Sequence, residues 1–436
     1  MKTVARPKIV YLIYNVIVLV ALLFVLPFLI VRNLVLRRPI GPLFLNLSST
    51  QAECLNNKPV VWIGAVSVSG TLVAESVIRE LIKLHPDYQI VLTTTPTGQK
   101  IAQQKLGDLA LVTYFPLELP FLMKRFIAKI HPLLYVMVES ELWPNAIRYS
   151  KRAGAKIAII NGRVSDGSYQ NYLRVKGFAK PVLQQIDLFA MQSVEDANRI
   201  GKIGAPLERI LVTGNVKFDQ EYPSFSENQL EIFRKTYGFK KENLIFTAAS
   251  THPGEEAIVI QAFLDLLKTE SIHLIIAPHH PERAHEVVLL LEQAKLSYVK
   301  RSAGGTTEAC TVLVLDTFGE LGLAYAVSDI ALVGGSMVKL KGIGGHNILE
   351  AAVQEKPVLY GPYMNNFCES KRLLEKADAG FTVHDVAELT KMIQDITGDQ
   401  ALYRQRAAKA KAAVLTNRGA AKHTALFIDD MVRSNS

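Results

Sequence analysis

The sequence predicts an α/β protein built from two doubly wound parallel-sheet domains behind an N-terminal apolar helix. At 436 residues the chain is longer than one hydrophobic core usually serves. Beyond Pro59, short β-branched runs alternate with amphipathic stretches, the pattern of parallel strands joined by crossover helices. Before that, Ile9 to Val31 forms an apolar block without a single charge.

That block, IVYLIYNVIVLVALLFVLPFLIV, lies between Lys8 and Arg32, and a helix of its length can cross a hydrocarbon core of about 30 Å. It is expected to be a membrane anchor. The alternative, a cleaved signal peptide, has a shorter apolar core, and no small-residue cleavage pattern follows before Arg37-Arg38. Lys2, Arg6 and Lys8 precede the block and Arg32, Arg37 and Arg38 follow it, so charge does not set its orientation. An interfacial helix kinked at Pro27 stays open.

In the first domain the strands are expected at 60–66, 88–95, 133–139, 156–162 and 188–193, with a helix over 73–84. A polar, turn-rich stretch at 220–228 precedes a second series at 243–250, 272–280, 311–316, 330–336 and 356–362. The expected division is an anchor over 1–40, one domain over 41–215 and a second over 216–436. Ligands of open α/β sheets sit beyond the carboxyl ends of the strands, so the two domains are expected to face each other across a cleft. No repeat relates the two halves in sequence.

Hydrophobic residues make up 49% of the chain, much of the excess lying in the N-terminal block. Cys54, Cys310 and Cys368 are far apart, which argues against a disulfide framework and a thiolate metal site and suits a reducing compartment. The net charge of +9 suits an anionic membrane face or an acidic substrate. Nucleic acid is not an expected partner, because the positive charge is dispersed and no aromatic and basic module appears.

Chemistry is expected at the strand ends. Ser250, Thr251, His252 and Gly254 open a helix whose free amides and dipole favour a phosphate; plain capping is the alternative. His279, His280 and Arg283 stand at another helix start, suited to a carboxylate or phosphate, or to solvent. Zinc is not expected on these histidines with His252, since they lack the close, fixed ligand spacing of structural sites. Gly334 and Gly335 end a strand, and Gly344, Gly345, His346 and Asn347 follow, with Glu350 one turn into a helix. The glycines would let a backbone approach a ligand, and Glu350 would reach a ribose hydroxyl. In the first domain Glu139 and Glu141 end a buried strand, where they serve acid or base chemistry or cap a helix. Arg163 ends the next strand and offers a guanidinium to an acceptor phosphate, or lies in a surface loop.

Together these residues resemble the 3-deoxy-D-manno-octulosonic acid (Kdo) transferases of lipopolysaccharide synthesis. The resemblance runs over nearly the whole chain. It rests on Trp62 with 65–68, Thr93-Thr94-Thr95 with Thr97-Gly98, the run 139–145 (ESELWPN), 214–219 (GNVKFD), 250–255 (STHPGE), 280–283 (HPER) and 344–350 (GGHNILE). It implies a GT-B fold of two Rossmann-like domains and transfer of Kdo from CMP-Kdo to a lipid A precursor. The place would be the cytoplasmic face of the inner membrane, and neither a metal nor another cofactor would be needed. The second domain would hold the donor, and Ser67, Thr94, Thr95 and Arg163 of the first would hold the acceptor.

One departure bears on activity. The family's first strand-to-helix turn reads His-Ala-x-Ser-Val-Gly-Glu, and its Glu is the expected general base; here Gly64 replaces the histidine and Gly70 the carboxylate. Glu75, Glu139 and Glu141 are the candidates to replace it. A second reading is a catalytically impaired paralogue that binds nucleotide sugar or lipid A precursor as a scaffold or regulator.

Overall fold

The computed structural model describes residues 7–35, 47, 53, 55, 58–240, 242–304 and 311–433. Lys2, Arg6, Arg37, Arg38, Cys54 and Cys310 lie outside the described residues. The chain forms two compact units, Met1–Gln220 with Asn417–Ser436, and Glu221–Thr416.

The first unit holds a seven-stranded sheet in the order β3-β2-β1-β4-β5-β6-β7. Its strands are β1 (Val60–Gly64), β2 (Gln89–Thr94), β3 (Ala110–Tyr114), β4 (Pro132–Val138), β5 (Lys156–Gly162), β6 (Leu188–Met191) and β7 (Ile210–Val212), and all pairs are parallel. Alternation along a strand divides the core between the faces. Trp62, Tyr135, Met137 and Ile159 pack on one side, and Val61, Ile63, Val136 and Ile160 on the other. Inside the first cluster Trp62 stacks on Tyr135 at 4.0 Å between ring centroids and donates its indole N–H to Thr93 Oγ1 at 2.8 Å. Two of the family's motif residues are thus core.

The second unit repeats the plan with order β10-β11-β9-β8-β12-β13-β14, again all parallel. These strands are β8 (Leu244–Thr251), β9 (Ile272–Pro278), β10 (Tyr298–Lys300), β11 (Val312–Val314), β12 (Ile330–Val333), β13 (Val358–Tyr360) and β14 (Gly380–Thr382). Winding reverses between β1 and β4 in the first sheet and between β8 and β12 in the second, and such a switch point is where an open α/β sheet leaves a ligand crevice.

Two expectations need correction. The boundary falls after Gln220, and residues 417–436 return to the first unit. The cause is the carboxylate of Asp219, which accepts the N–H groups of Gly419 and Ala421 at the start of the helix Ala420–Arg433. That helix then buries Ala421, Ala425 and Ile428 against Val73 and Val77 of the helix Val68–Leu84. The strands β3, β7, β10 and β14 escaped the sequence reading because they are short edge or near-edge strands of three to five residues with little alternation.

The N-terminal block is helical over Pro7–Val35. Among the described residues no helix is long and apolar enough to cross a membrane, so the spanning anchor expected from the sequence is not found among them. The face of the N-terminal helix is divided. Tyr11, Tyr14 and Asn15, at helical spacing, dock on the first unit: Gln185 donates to Tyr11 Oη, Tyr14 donates to Glu118 at 3.0 Å and Asn145 donates to Asn15 at 2.8 Å. Leu12, Val16, Leu19, Leu23 and Phe24 stay exposed.

Candidate functional site

At the first switch point β1 delivers the turn Ala65-Val66-Ser67. Ser67 caps the helix Val68–Leu84, its Oγ accepting the N–H of Gly70 at 2.8 Å while its carbonyl accepts Thr71 Oγ1 at 2.9 Å. Thr95 donates to the carbonyl of Val66 at 3.0 Å, tying the turn after β2 to it, and Thr94 is buried beside them. Ser67, Thr94 and Thr95 therefore share one corner of the sheet.

Gly70, where the family's carboxylate is expected, faces the end of β4: a Cβ built on it would lie 3.7 Å from Val138 Cγ1 and 3.0 Å from Ser67 Oγ. The residues after Val138 are the acidic turn. Glu139 adopts a left-handed φ of 61° and pairs with Lys217 at 3.4 Å. Ser140 Oγ accepts the N–H of Arg163 at 2.9 Å, which brings the end of β5 to the same place. Glu141 carries a buried Oε2 without a hydrogen-bond partner, and burial, reinforced by the charge of Glu139, pushes its carboxyl up to about 7. Glu75 is placed differently: its carboxylate is committed to Arg79 at 2.9 Å and Lys105 at 3.2 Å.

Sequence reasoning missed Glu118. It is buried, accepts the N–H groups of Asn145 and Ala146 at the start of the helix Pro144–Arg152, and binds Tyr14 of the N-terminal helix; burial pushes it up to about 7. It sits in an apolar run, Leu117-Glu118-Leu119-Pro120, and no local signal marks it.

In the second unit the carboxyl ends of β9, β8 and β12, neighbours in the sheet, carry most of the expected donor residues. The paired glycines do something other than expected. The carboxylate of Glu255, fully buried at the start of the helix Glu255–Leu266, accepts the N–H groups of His252 (2.9 Å), Gly335 (2.8 Å), Ser336 (2.8 Å) and Met337 (2.7 Å). The amides after Gly334 that a phosphate would have used are thus taken by the protein's own carboxylate. Gly335, at φ +67°, lies against His346: a Cβ there would come within 2.7 Å of the imidazole Cδ2.

Other expected donor residues are also partly engaged. Arg283 donates to Glu256 at 3.0 Å and to Glu286 at 2.7 Å. Asn347 accepts the N–H of Leu349 and donates to Tyr222 at 3.1 Å, while Gly345 donates to the carbonyl of Gly335 and Gly344 accepts from Asn366, both at 2.8 Å. Ser250 holds a left-handed φ of 54°, Thr251 is buried at the end of β8, and Gly254 caps the helix at φ 94°. Glu350 is pushed up to about 7 by burial.

What the fold adds is a group of imidazoles. His252 follows β8, His279 follows β9 and His346 stands in the loop beyond β12, and one ring nitrogen from each lies within 4.8 Å of the others. His252 Nε2 and His346 Nε2 are 2.8 Å apart, so one carries the proton and the other accepts it. The ring of His279 stacks on that of His346 with centroids 4.0 Å apart, while His252 and His346 meet nitrogen to nitrogen, their centroids 5.1 Å apart. Burial first and the neighbouring imidazoles second lower His279 to about 4 and His346 to about 3. His280, exposed, stands edge-on to His279 at 4.8 Å. The sequence reading set zinc aside for His279 and His280 with His252, on their spacing; the fold brings His346 from the loop beyond β12 to the same place.

The family described as 3-Deoxy-D-manno-octulosonic-acid transferase (kdotransferase) matches residues 45–220. A 3-deoxy-D-manno-octulosonic acid transferase of Haemophilus influenzae is 34% identical over 364 residues, 83% of this chain and 84% of that protein. Another, of Chlamydophila psittaci, is 26% identical over 407 residues, 92% of this chain and 93% of its own. The crystal structure of a glycosyltransferase from Rickettsia africae shares the fold, with a TM-score of 0.61 at 14% identity, covering 87% of this chain and all of that one. With two parallel-sheet units and 34% identity over 364 residues to a transferase of that kind, covering most of both chains, the protein belongs to the Kdo transferase family.

Proposed function

We propose that the protein transfers Kdo from CMP-Kdo to a lipid A precursor during lipopolysaccharide synthesis, with Glu141 as the general base. The observation that carries this reading is the acidic turn after β4. It directly follows Val138, the residue of β4 that Gly70 faces where the family's base is expected, and it holds a partly buried carboxyl pushed up to about 7. A base with such a pKa is matched to taking a proton from an attacking hydroxyl near neutral pH. The neighbouring carboxyl of Glu139, which pairs with Lys217 at 3.4 Å, raises the basicity of Glu141. Ser67, Thr95 and the main chain of Arg163 border the same corner and would receive the acceptor.

The acceptor is anionic and lipid-borne, which suits a chain of net charge +9 whose N-terminal helix exposes an apolar face. Arg148 lies 4.5 Å over the Tyr11 ring at the foot of that helix, where a basic group would meet phosphate headgroups. The exposed apolar face of the helix is proposed to hold the enzyme at the inner membrane, with the chain on its cytoplasmic face.

Transfer of labelled Kdo from CMP-Kdo, generated in situ, to lipid A precursor by the detergent-solubilised protein tests the reading. Turnover by the wild type that falls about 10²-fold or more in Glu141→Gln supports it. Transfer only after Gly70→Glu would favour the impaired paralogue, in which the donor unit binds without catalysis.

A further inference from the structure

We infer that Tyr14 and Asn15 of the N-terminal helix are positioning residues for Glu141, so that seating of this helix on the first unit sets the competence of the base. This coupling rests on the reading of Glu141 as the base and extends it to what holds the base in place.

Glu141 begins the segment Glu141-Leu142-Trp143, which has neither strand nor helix bonds and runs straight into the helix Pro144–Arg152. Its position is therefore set by what grips it from outside. One grip is the loop between β3 and the helix Pro120–Ile130. At the near end of that loop Phe115 packs on Trp143, ring centroids 5.1 Å apart, and Trp143 in turn hydrogen-bonds the Glu141 carboxyl. At its far end the Glu118 carboxylate accepts the N–H groups of Asn145 at 2.9 Å and Ala146 at 2.8 Å.

The N-terminal helix closes this junction. Tyr14 donates to the Glu118 carboxylate at 3.0 Å, and the Asn145 side-chain amide donates both to the Glu118 carbonyl and to Asn15 Oδ1, each at 2.8 Å. Both hydrogens of that amide are thus used, one toward the loop and one toward the helix. Asn15 is the one amide side chain in the apolar stretch from Ile9 to Val31. A helix that served as a tether alone would need no amide on its docked face, where a polar group is costly unless bonded. Apart from Trp143 the Glu141 carboxyl has few ties, its buried Oε2 having no hydrogen-bond partner. A shift of the segment by ~1 Å is enough to cost a positioned base up to about 10²-fold in rate. All of these residues belong to the first unit, so donor binding by the second should not feel the change.

The experiment compares the detergent-solubilised full chain with the double variant Tyr14→Phe/Asn15→Ala, both labelled with 5-fluorotryptophan. The chain has two tryptophans, Trp62 and Trp143, and Trp143→Phe assigns their fluorine resonances. In the double variant kcat for Kdo transfer should fall about tenfold or more, while KM for CMP-Kdo stays within about twofold. The Trp143 resonance should move. Flotation with anionic phospholipid vesicles should be unchanged, because Leu12, Val16, Leu19, Leu23 and Phe24 keep their exposed apolar face. Asn15→Ala alone, which leaves every bond to Glu118 in place, should move kcat and the resonance in the same direction by less. An unchanged kcat with an unmoved Trp143 resonance would overturn the coupling, as would a loss that lies in KM or in vesicle binding. Failure of the base reading shows separately, as transfer that survives Glu141→Gln.

Discussion

Glu255 accepts the N–H of Ser336 at 2.8 Å, joining the first turn of the helix after β8 to the turn after β12, 81 residues away in the chain. The same carboxylate binds three more amides, so the crest of the second sheet is organised around one buried charge. Four amide donors stand in for the water that a carboxylate loses on burial.

Glu255→Ala should therefore destabilise the second unit by about 3 kcal/mol or more, because each buried N–H left without an acceptor costs about 1–3 kcal/mol and the effects do not add fully. For a unit of this size that corresponds to a melting temperature lower by roughly 6–12 °C. Differential scanning calorimetry reads it directly. An unchanged transition would show that water replaces the carboxylate without loss.

Gly335→Ala tests the contact with His346. The added Cβ would fall 2.7 Å from the imidazole at a left-handed φ, so the expected loss is about 1–3 kcal/mol, with the His346 ring displaced. Chemical denaturation measures the first, and the histidine ring signals in a nuclear magnetic resonance spectrum the second.

The pH dependence of transfer should expose Glu141. Burial raises its folded pKa from 4.5 to about 7, so the ionised form is disfavoured in the native state. The resulting loss of stability develops as pH rises from the unfolded value to about 7 and is constant above it. Since a base works ionised, kcat/KM should climb through pH 7 and level off above. A limb near pH 4.5 would exclude Glu141. Glu75→Gln, which removes only an ion-paired surface carboxylate, should leave kcat/KM within about threefold.

Glu118→Ala should loosen the N-terminal helix. Two helix-start amides and the Tyr14 hydroxyl lose their acceptor, a loss of about 2 kcal/mol after relief of a buried carboxyl is allowed for. Hydrogen exchange in detergent should rise over residues 11–15 and 144–147 and stay unchanged in the second unit. Tyr14→Phe, which removes one bond, should raise exchange only in the first of these segments.

The sequence by itself determined the number and kind of layers, because β-branched runs separated by amphipathic stretches have few ways to bury their apolar faces. It also singled out turns in which Ser, Thr, Gly, His and Glu stand out against apolar strands: Ser67, Thr95, Glu139, Glu141 and His252 lie just past strand ends, and His346 in the loop beyond β12. Only the tertiary structure decided what those residues face. Glu255 reads in the chain as a helix-start acid, yet it closes the glycine turn on β12; Arg283 reads as a free guanidinium, yet it is shared by Glu256 and Glu286. His252, His279 and His346 are 27 and 67 residues apart in succession, and they meet because the winding order makes β9, β8 and β12 neighbours. The return of residues 417–436 to the first unit was equally hidden, for it depends on Asp219 meeting a helix start 200 residues onward. Periodicity and turn chemistry are local, and they fix the elements. Contacts between strand ends depend on sheet order, which no local pattern carries.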